Sequence, residues 1–205
     1  MSVIHYFSND PNKRAKFIFN FIAPIYNKVD KILDDNFTKA IDVLDTKIHI
    51  ENKTVLDIGT GTGAWAAMFE TKNAKKITGV DFADKMLEVS KQKHPNIHFV
   101  KADAENLKQF PDNSFDIVTA SYVIHGVKQD RRQAILNQMQ RVSKEYIVLQ
   151  DFVGNTPYFI RFLEFMEKSD YKFFKKNICN ELGEIFSSSK KIEVANGSGL
   201  YICYK

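Results

Sequence analysis

The chain has 205 residues, 44% hydrophobic and 26% charged. That composition suits one domain with a substantial core and excludes disordered and fibrous classes. Its 29 Lys and Arg against 25 Asp and Glu leave a formal charge of +4, too small an excess to mark a nucleic-acid-binding face.

Residues 11–48 carry apolar positions at helical spacing: Phe17, Phe21 and Ile22, then Val29, Leu33 and Phe37, then Ile41 and Leu44. Asp10 and Pro11 read as an N-cap and first helical residue, and Pro24 is expected to split the region into two helices. Lys53–Ile58 then forms a short apolar run ending in glycines, the mark of a buried first strand. A helix is expected over 63–72, a second strand over Lys76–Val80 and a second helix over 83–93. A third strand covers Ile97–Val100, and a fourth, Phe115–Ala120, follows the turn Pro111-Asp112-Asn113. Ile135, Leu136, Met139 and Val142 place a helix over 129–142, before a fifth strand over Tyr146–Gln150. Short, nearly all-apolar strands alternating with helices call for a parallel sheet covered on both faces. The tail departs from that rule. After an aromatic-rich helical stretch, 157–186, two strand-like runs, KIEVA and LYICYK, flank Asn196-Gly197-Ser198-Gly199. That is a hairpin signal, so the sheet is expected to end in an antiparallel pair.

No repeat or Pro/Gly/Ser-rich linker divides the chain, which reads as one domain over 1–205 with an N-terminal helical cap over 1–50. The two cysteines, Cys179 and Cys203, fit neither a disulfide framework nor a CxxC redox or zinc site. The N-terminus lacks the apolar core of a signal peptide, and no apolar run approaches the roughly 20 residues that span a bilayer. A soluble, cytoplasmic protein is expected.

The most informative segment is Val55-Leu56-Asp57-Ile58-Gly59-Thr60-Gly61-Thr62-Gly63. It closes the first strand and opens a helix, the place where open α/β sheets bind ligands. Glycines permit close backbone approach, and a helix N-terminus presents N–H donors suited to an anionic or carboxylate-bearing ligand. Asp81, 18 residues past Gly63, stands where a carboxylate can accept both hydroxyls of a ribose. Gly59, Gly61 and Ala64 also satisfy the looser dinucleotide fingerprint, which keeps a nicotinamide-dependent oxidoreductase as an alternative. Two features point elsewhere: Asp57 inside the loop motif, and Asp103-Ala104 after the third strand, where an acid and an N–H can bracket an adenine edge.

With those residues in place, the chain resembles the class I S-adenosylmethionine-dependent methyltransferases, in particular the ubiquinone/menaquinone-biosynthesis and related small-molecule branch. The resemblance covers about 17–151 and continues more loosely to the end. VLDIGTGTG is similar to the first family motif, TGVDFADKML to the second, KADAENL to the adenine-contacting segment and FPDNSFDIVTASYVIHGV to the fourth-strand motif. Phe19–Tyr26 is similar to a family helix whose Tyr lines the cofactor pocket. The resemblance implies an α/β Rossmann-like seven-stranded sheet of order 3-2-1-4-5-7-6 with the last strand antiparallel. It implies S-adenosylmethionine as cofactor, held by Tyr26, Asp57, Gly59, Thr60, Gly61, Gly63, Asp81, Phe82, Met86, Asp103, Ala104 and Ser121. It departs from the family where a K-P-G-G turn usually precedes the fifth strand, for Val142-Ser143-Lys144-Glu145 stands there, and where Asn27 replaces a frequent Asp.

Methyl transfer from a sulfonium is an in-line displacement, so alignment and water exclusion matter most, and a base is needed only if the acceptor must lose a proton. His125, following the fourth strand, is the candidate base, with a purely loop-bonding histidine as the alternative. Asp151, directly after the fifth strand, is the second candidate, its alternative a cap or loop carboxylate. Trp65 and Met86 read as pocket walls or, more simply, as core. His94 and His98 straddle Pro95 and do not make a metal site; no metal is expected. The aromatic segment 152–186 reads as a cover over an aromatic or lipid-like acceptor, or as an amphipathic helix packed on the sheet. Within it, Tyr171–Lys176 reads as a membrane-facing run or a solvated helix face. The absence of an N/D-P-P-Y/F sequence at Thr119–Tyr122 argues against methylation of nucleic-acid bases, and two cysteines are too few for a multi-thiol arsenic site. The expected partner is a small-molecule methyl acceptor, with no nucleic acid and no transmembrane segment. A methyltransferase-like regulatory subunit without turnover is the third alternative.

Overall fold

A computed structural model of the chain describes residues 35–154, 170–195 and 197–205. Helix α1 is described over 35–48, followed by β1 (Thr54–Ile58), α2 (Ala64–Glu70), β2 (Lys76–Asp81), α3 (Asp84–Lys93) and β3 (His98–Lys101). After β4 (Phe115–Ser121) come a 3-10 turn (Ile124–Gly126), α4 (Gln129–Val142), β5 (Ser143–Phe152), α5 (Tyr171–Ile185), β6 (Ser188–Ala195) and β7 (Ser198–Tyr204). The seven strands form one sheet in the order β3-β2-β1-β4-β5-β7-β6. All neighbours are parallel except that β7 runs antiparallel to both β5 and β6.

This topology is the one expected, and its cause is visible in the burial pattern. β1 reads TVLDI with its last four residues buried, because helices cover both faces. On one face α1, α2 and α3 supply Phe37, Ile41, Leu44, Trp65, Phe69 and Leu87 to a core shared with Val55, Ile117 and Val148. On the other, α4 and α5 bury Ile135, Leu136, Met139, Phe174, Ile178 and Leu182 against Leu56, Val118 and Leu149. Each such side chain contributes roughly 1.5–3 kcal/mol on leaving water.

The differences from expectation have local reasons. α4 ends at Val142 and β5 begins at Ser143, so the short connection has no loop at all. A register shift between Phe115 and Ile117 lets Ser143 pair with Phe115 three residues before Tyr146, the expected start of β5, meets Ile117. The terminal hairpin is tighter than a four-residue turn: Ala195 pairs with Ser198, and Gly197 has φ 75. Ser198 and Gly199 belong to β7. The expected break at Pro24 and the segment 155–169 lie outside the described residues. Among the described residues no helix is long and apolar enough to cross a membrane.

Candidate active site

The carboxyl ends of β1, β2, β4 and β5 meet along one edge of the sheet, joined there by the start of the antiparallel β7. Sequence order therefore brings the glycine loop, Asp81, Ser121, His125 and Asp151 to a common rim.

Gly59 and Gly61 carry φ values of 66 and 54, which side-chain-bearing residues rarely adopt. The reasons for glycine differ. A Cβ at Gly59 would lie 2.6 Å from Val123 Cγ2, so that glycine seats the loop against the β4 exit. A Cβ at Gly61 would meet no atom of the described residues within 4 Å, so packing does not call for this glycine and its φ of 54 does. Several loop amides are already engaged: Thr60 N–H donates to Val80 O at 2.9 Å, Gly63 N–H to Thr60 O at 2.9 Å, and Gly61 N–H to Asp81 Oδ2 at 2.9 Å. These bonds leave fewer loop amides for a ligand than the glycine pattern alone offers. The loop's charge is acidic.

Asp57 carries that character furthest. Its carboxylate is buried, and neither of its oxygens, nor the Thr60 hydroxyl beside it, closes a hydrogen bond of normal geometry. Burial pushes its pKa up to about 7; the neighbouring Asp81 charge adds to this and Thr60 offsets part of it. Asp81 is likewise raised by burial, against the backbone donors of Ala83, Gly61 and Phe82 that favour its charged form. Ala83 N–H reaches Asp81 Oδ1 at 2.8 Å and Gly61 N–H reaches Oδ2, and two carboxylate oxygens with about four lone pairs retain capacity for hydroxyls beside such donors. Asp103 is exposed at the neighbouring strand exit, where Oδ1 accepts the Glu105 N–H at 3.0 Å, and Ala104 follows it half-buried. Phe82 is half-exposed, while Met86 is 1% exposed. Trp65 is core, its indole N–H donating to Thr119 Oγ1 at 2.9 Å. Tyr26 lies outside the described residues.

At the other end of the rim, His125 Nδ1 stands 2.7 Å from Asp151 Oδ1, both residues buried. Asp151 also accepts the His125 N–H at 3.3 Å on Oδ2 and the Phe152 N–H at 2.8 Å on Oδ1. Asp151 is therefore the carboxylate that holds the imidazole, rather than an independent group facing the cleft. Rings of Phe152, Tyr122, Phe174 and Tyr171 surround the imidazole, with centroids 4.8, 6.3, 6.3 and 6.4 Å away. Tyr122 has φ 50, a strained value for a bulky residue, directly at the β4 exit. Its hydroxyl donates to Ser198 Oγ at 3.0 Å, which also accepts Gln150 Nε2–H at 2.7 Å, and Gln150 Oε1 accepts the Ser121 hydroxyl at 2.7 Å. Ser121 is thus fixed by a polar chain running through β5 to β7.

Gln150 and the buried pair Arg132–Glu181 were not singled out from the sequence. For the pair a signal exists: Arg132 lies on the apolar stripe with Ile135, Leu136 and Met139, and Glu181 on the stripe with Phe174, Ile178 and Leu182. A charge inside an apolar stripe asks for a partner. For Gln150, one polar residue ending an apolar strand is too common a pattern to be informative. The Tyr171–Lys176 run turns Tyr171 and Phe174 inward and leaves Phe173 40% exposed, the geometry of a helix packed on a sheet. Among the described residues no group of three His, Cys, Asp or Glu side chains could hold a metal ion.

An acidic loop with an unpartnered buried carboxylate fits a ligand bearing an ammonium and a sulfonium, and repels a pyrophosphate. The residues present therefore fit S-adenosylmethionine and not a dinucleotide. A family described as a methyltransferase domain matches residues 55–146. The ubiquinone/menaquinone biosynthesis C-methyltransferase of Campylobacter jejuni is 33% identical over 198 residues, 87% of this chain and 78% of that protein. The demethylmenaquinone methyltransferase of Thermotoga maritima is 30% identical over 183 residues, 85% of this chain and 75% of that protein. The fold is shared with a methyltransferase from Aquifex aeolicus (TM-score 0.67, 17% identity, 87% of this chain and 97% of that one). It is also shared with magnesium protoporphyrin IX methyltransferase from Synechocystis, solved with S-adenosylhomocysteine (TM-score 0.63, 15% identity, 84% and 83% covered).

The chain belongs to the class I S-adenosylmethionine-dependent methyltransferases. It is an enzyme that transfers the methyl group of S-adenosylmethionine to a small-molecule acceptor, similar to the ubiquinone/menaquinone-biosynthesis branch.

Proposed function

We propose that the acceptor is a hydroquinone-type aromatic and that His125 removes its hydroxyl proton. The observation that carries this reading is the buried 2.7 Å contact between His125 Nδ1 and Asp151, set among the rings of Tyr122, Phe152, Tyr171 and Phe174. Aromatic walls suit a flat apolar acceptor. A carboxylate on Nδ1 fixes the tautomer that leaves Nε2 to take a proton and stabilises the imidazolium that results. Removal of a phenolic proton makes the adjoining ring carbon nucleophilic. The sulfonium C–S bond breaks as the C–C bond forms, and the ring carbon's own proton then leaves while the oxygen regains one. One base thus serves either carbon or oxygen methylation. The relatives' names, ubiquinone/menaquinone and demethylmenaquinone methyltransferases, support the same acceptor class.

When bound, S-adenosylmethionine supplies the electrophilic methyl. Around it, Asp57 and Gly61 would face its ammonium end, Asp81 its ribose hydroxyls, Asp103 and Ala104 its adenine, with Phe82 and Met86 beside them. Ser121, fixed by Gln150, would border the methionine portion, and residues 1–50 with Tyr26 would cap the cofactor. The whole chain acts as one domain, and the cytoplasm is its compartment. The test is methyl transfer to demethylmenaquinone reduced to its hydroquinone, with and without His125→Ala. Turnover by the native protein and a loss of roughly 10²-fold or more in the variant, with S-adenosylhomocysteine affinity retained, is expected. Equal turnover by the variant removes His125 as base, and no turnover by the native protein removes this acceptor class.

A further inference from the structure

We infer that Arg132 is a positioning residue that clamps the His125 turn onto α5, an inference that rests on His125 being the base. The turn has little holding it from within. It spans only Ile124–Gly126, and its backbone bonds, Gly126 N–H to Val123 O and Val127 N–H to Ile124 O, are both 3.3 Å, at the long end for such bonds. Asp151 secures the imidazole, but the chain leaving the turn needs an anchor of its own.

Arg132 supplies it. The side chain is fully buried, and Nη1 donates to Val127 O at 2.6 Å, two residues beyond His125. The remaining fork binds both oxygens of Glu181 on α5, Nε to Oε2 at 2.6 Å and Nη2 to Oε1 at 3.0 Å. Nη2 also reaches Asp170 at 3.5 Å, just ahead of α5. The guanidinium carbon lies 5.7 Å from the Phe174 ring centroid and 5.8 Å from that of Phe173. Phe174 also packs on the imidazole, its centroid 6.3 Å away. One planar cation thus joins the exit of the His125 turn, the helix that walls the imidazole, and a ring touching that imidazole.

Stability alone does not call for such a pair. Two buried charges are costly to desolvate, and apolar residues of similar volume usually serve a core as well or better. What a bidentate guanidinium adds is a fixed distance between three elements.

The test uses the full chain with Arg132→Met and Glu181→Leu combined, so that no fully buried charge is left unpaired and only the part-exposed Asp170 loses a 3.5 Å contact. Three quantities are read by thermal unfolding and NMR: the melting midpoint, amide exchange at His125–Val127, and the low-field Nδ1–H resonance of His125, identified by its loss in Asp151→Asn. Positioning predicts a nearly unchanged midpoint, exchange in the turn at least about tenfold faster than native, and loss of the resonance. Arg132→Lys is the second variant: a single ammonium can keep Glu181 but not Val127 O as well, and the same local losses are expected. Native exchange and an intact resonance in both variants overturn the clamp. Native turnover of the hydroquinone by His125→Ala, with the local losses present, overturns its catalytic purpose and separates that failure from the first.

Discussion

The two ends of the sheet treat a carboxylate in opposite ways. At the amino end, on β4, burial would raise the pKa of Asp116, but the Thr54 N–H and hydroxyl, each 2.7 Å from Oδ2, and Lys144 at 3.1 Å override it and hold the group at about 2. At the carboxyl end, on β1, Asp57 is buried with no hydrogen bond of normal geometry among the described residues and is pushed up to about 7. A carboxylate placed for stability is given donors. One left without them in an otherwise well-satisfied sheet marks where a cationic group is to arrive, which is why the carboxyl end is the site.

The comparison is tested most severely at Asp81. Asp81→Ala removes both the ribose acceptor and the partner of the Gly61 and Ala83 amides, and S-adenosylhomocysteine should bind about 10- to 100-fold more weakly, or about 1.4–2.7 kcal/mol. Calorimetric titration measures it; native affinity would place the ribose elsewhere.

Asp57 gives the next effect, and its sign is set by the raised value. The folded form sits near 7 against an ordinary 3.8, so the stability this group contributes is present in full below about pH 4 and is lost as pH rises through 7. Three pH units correspond to at most about 4 kcal/mol. Thermal unfolding without ligand should therefore show the native midpoint falling from pH 5 to 8 relative to Asp57→Asn, with the variant the more stable at pH 8. A constant gap between the two curves would mean that Asp57 is not the group titrating. S-adenosylhomocysteine should bind Asp57→Asn less tightly, because its ammonium loses a charged partner.

How much of this was legible before the fold was known follows from the range of each interaction. The strands themselves, the terminal antiparallel pair and the glycine loop were readable because local patterns carry them: apolar runs, Gly59-Thr60-Gly61-Thr62-Gly63, and Asn196-Gly197; the strand order came from the family resemblance alone. His125 and Asp151 were each visible at a strand exit, but their 2.7 Å contact joins residues 26 apart in sequence, which no local pattern encodes. The same holds for Arg132 with Glu181, 49 apart, and for Gln150 with Ser198, 48 apart. The engagement of the loop amides escaped the sequence for a related reason. Glycines at a helix start announce free amides, but whether those amides are free depends on what the next strand brings, and β2 brings Val80 O and Asp81.

The smallest effect belongs to the amino end and closes the contrast. Asp116→Asn should leave S-adenosylhomocysteine affinity unchanged, since Asp116 lies across the sheet from the glycine loop. It should weaken the tie between the starts of β1 and β4, where the Thr54 hydroxyl both donates to Asp116 and accepts the Asp116 N–H at 3.0 Å. Loss of charge-assisted bonds there costs about 1–2 kcal/mol, a midpoint drop of several degrees at pH 7. Because the native value is depressed, the stability it provides is present above the ordinary carboxylate range and is lost as pH falls through about 2, so native and variant curves should converge only in strong acid. A variant with native stability but weakened cofactor binding would reverse the roles assigned to the two ends.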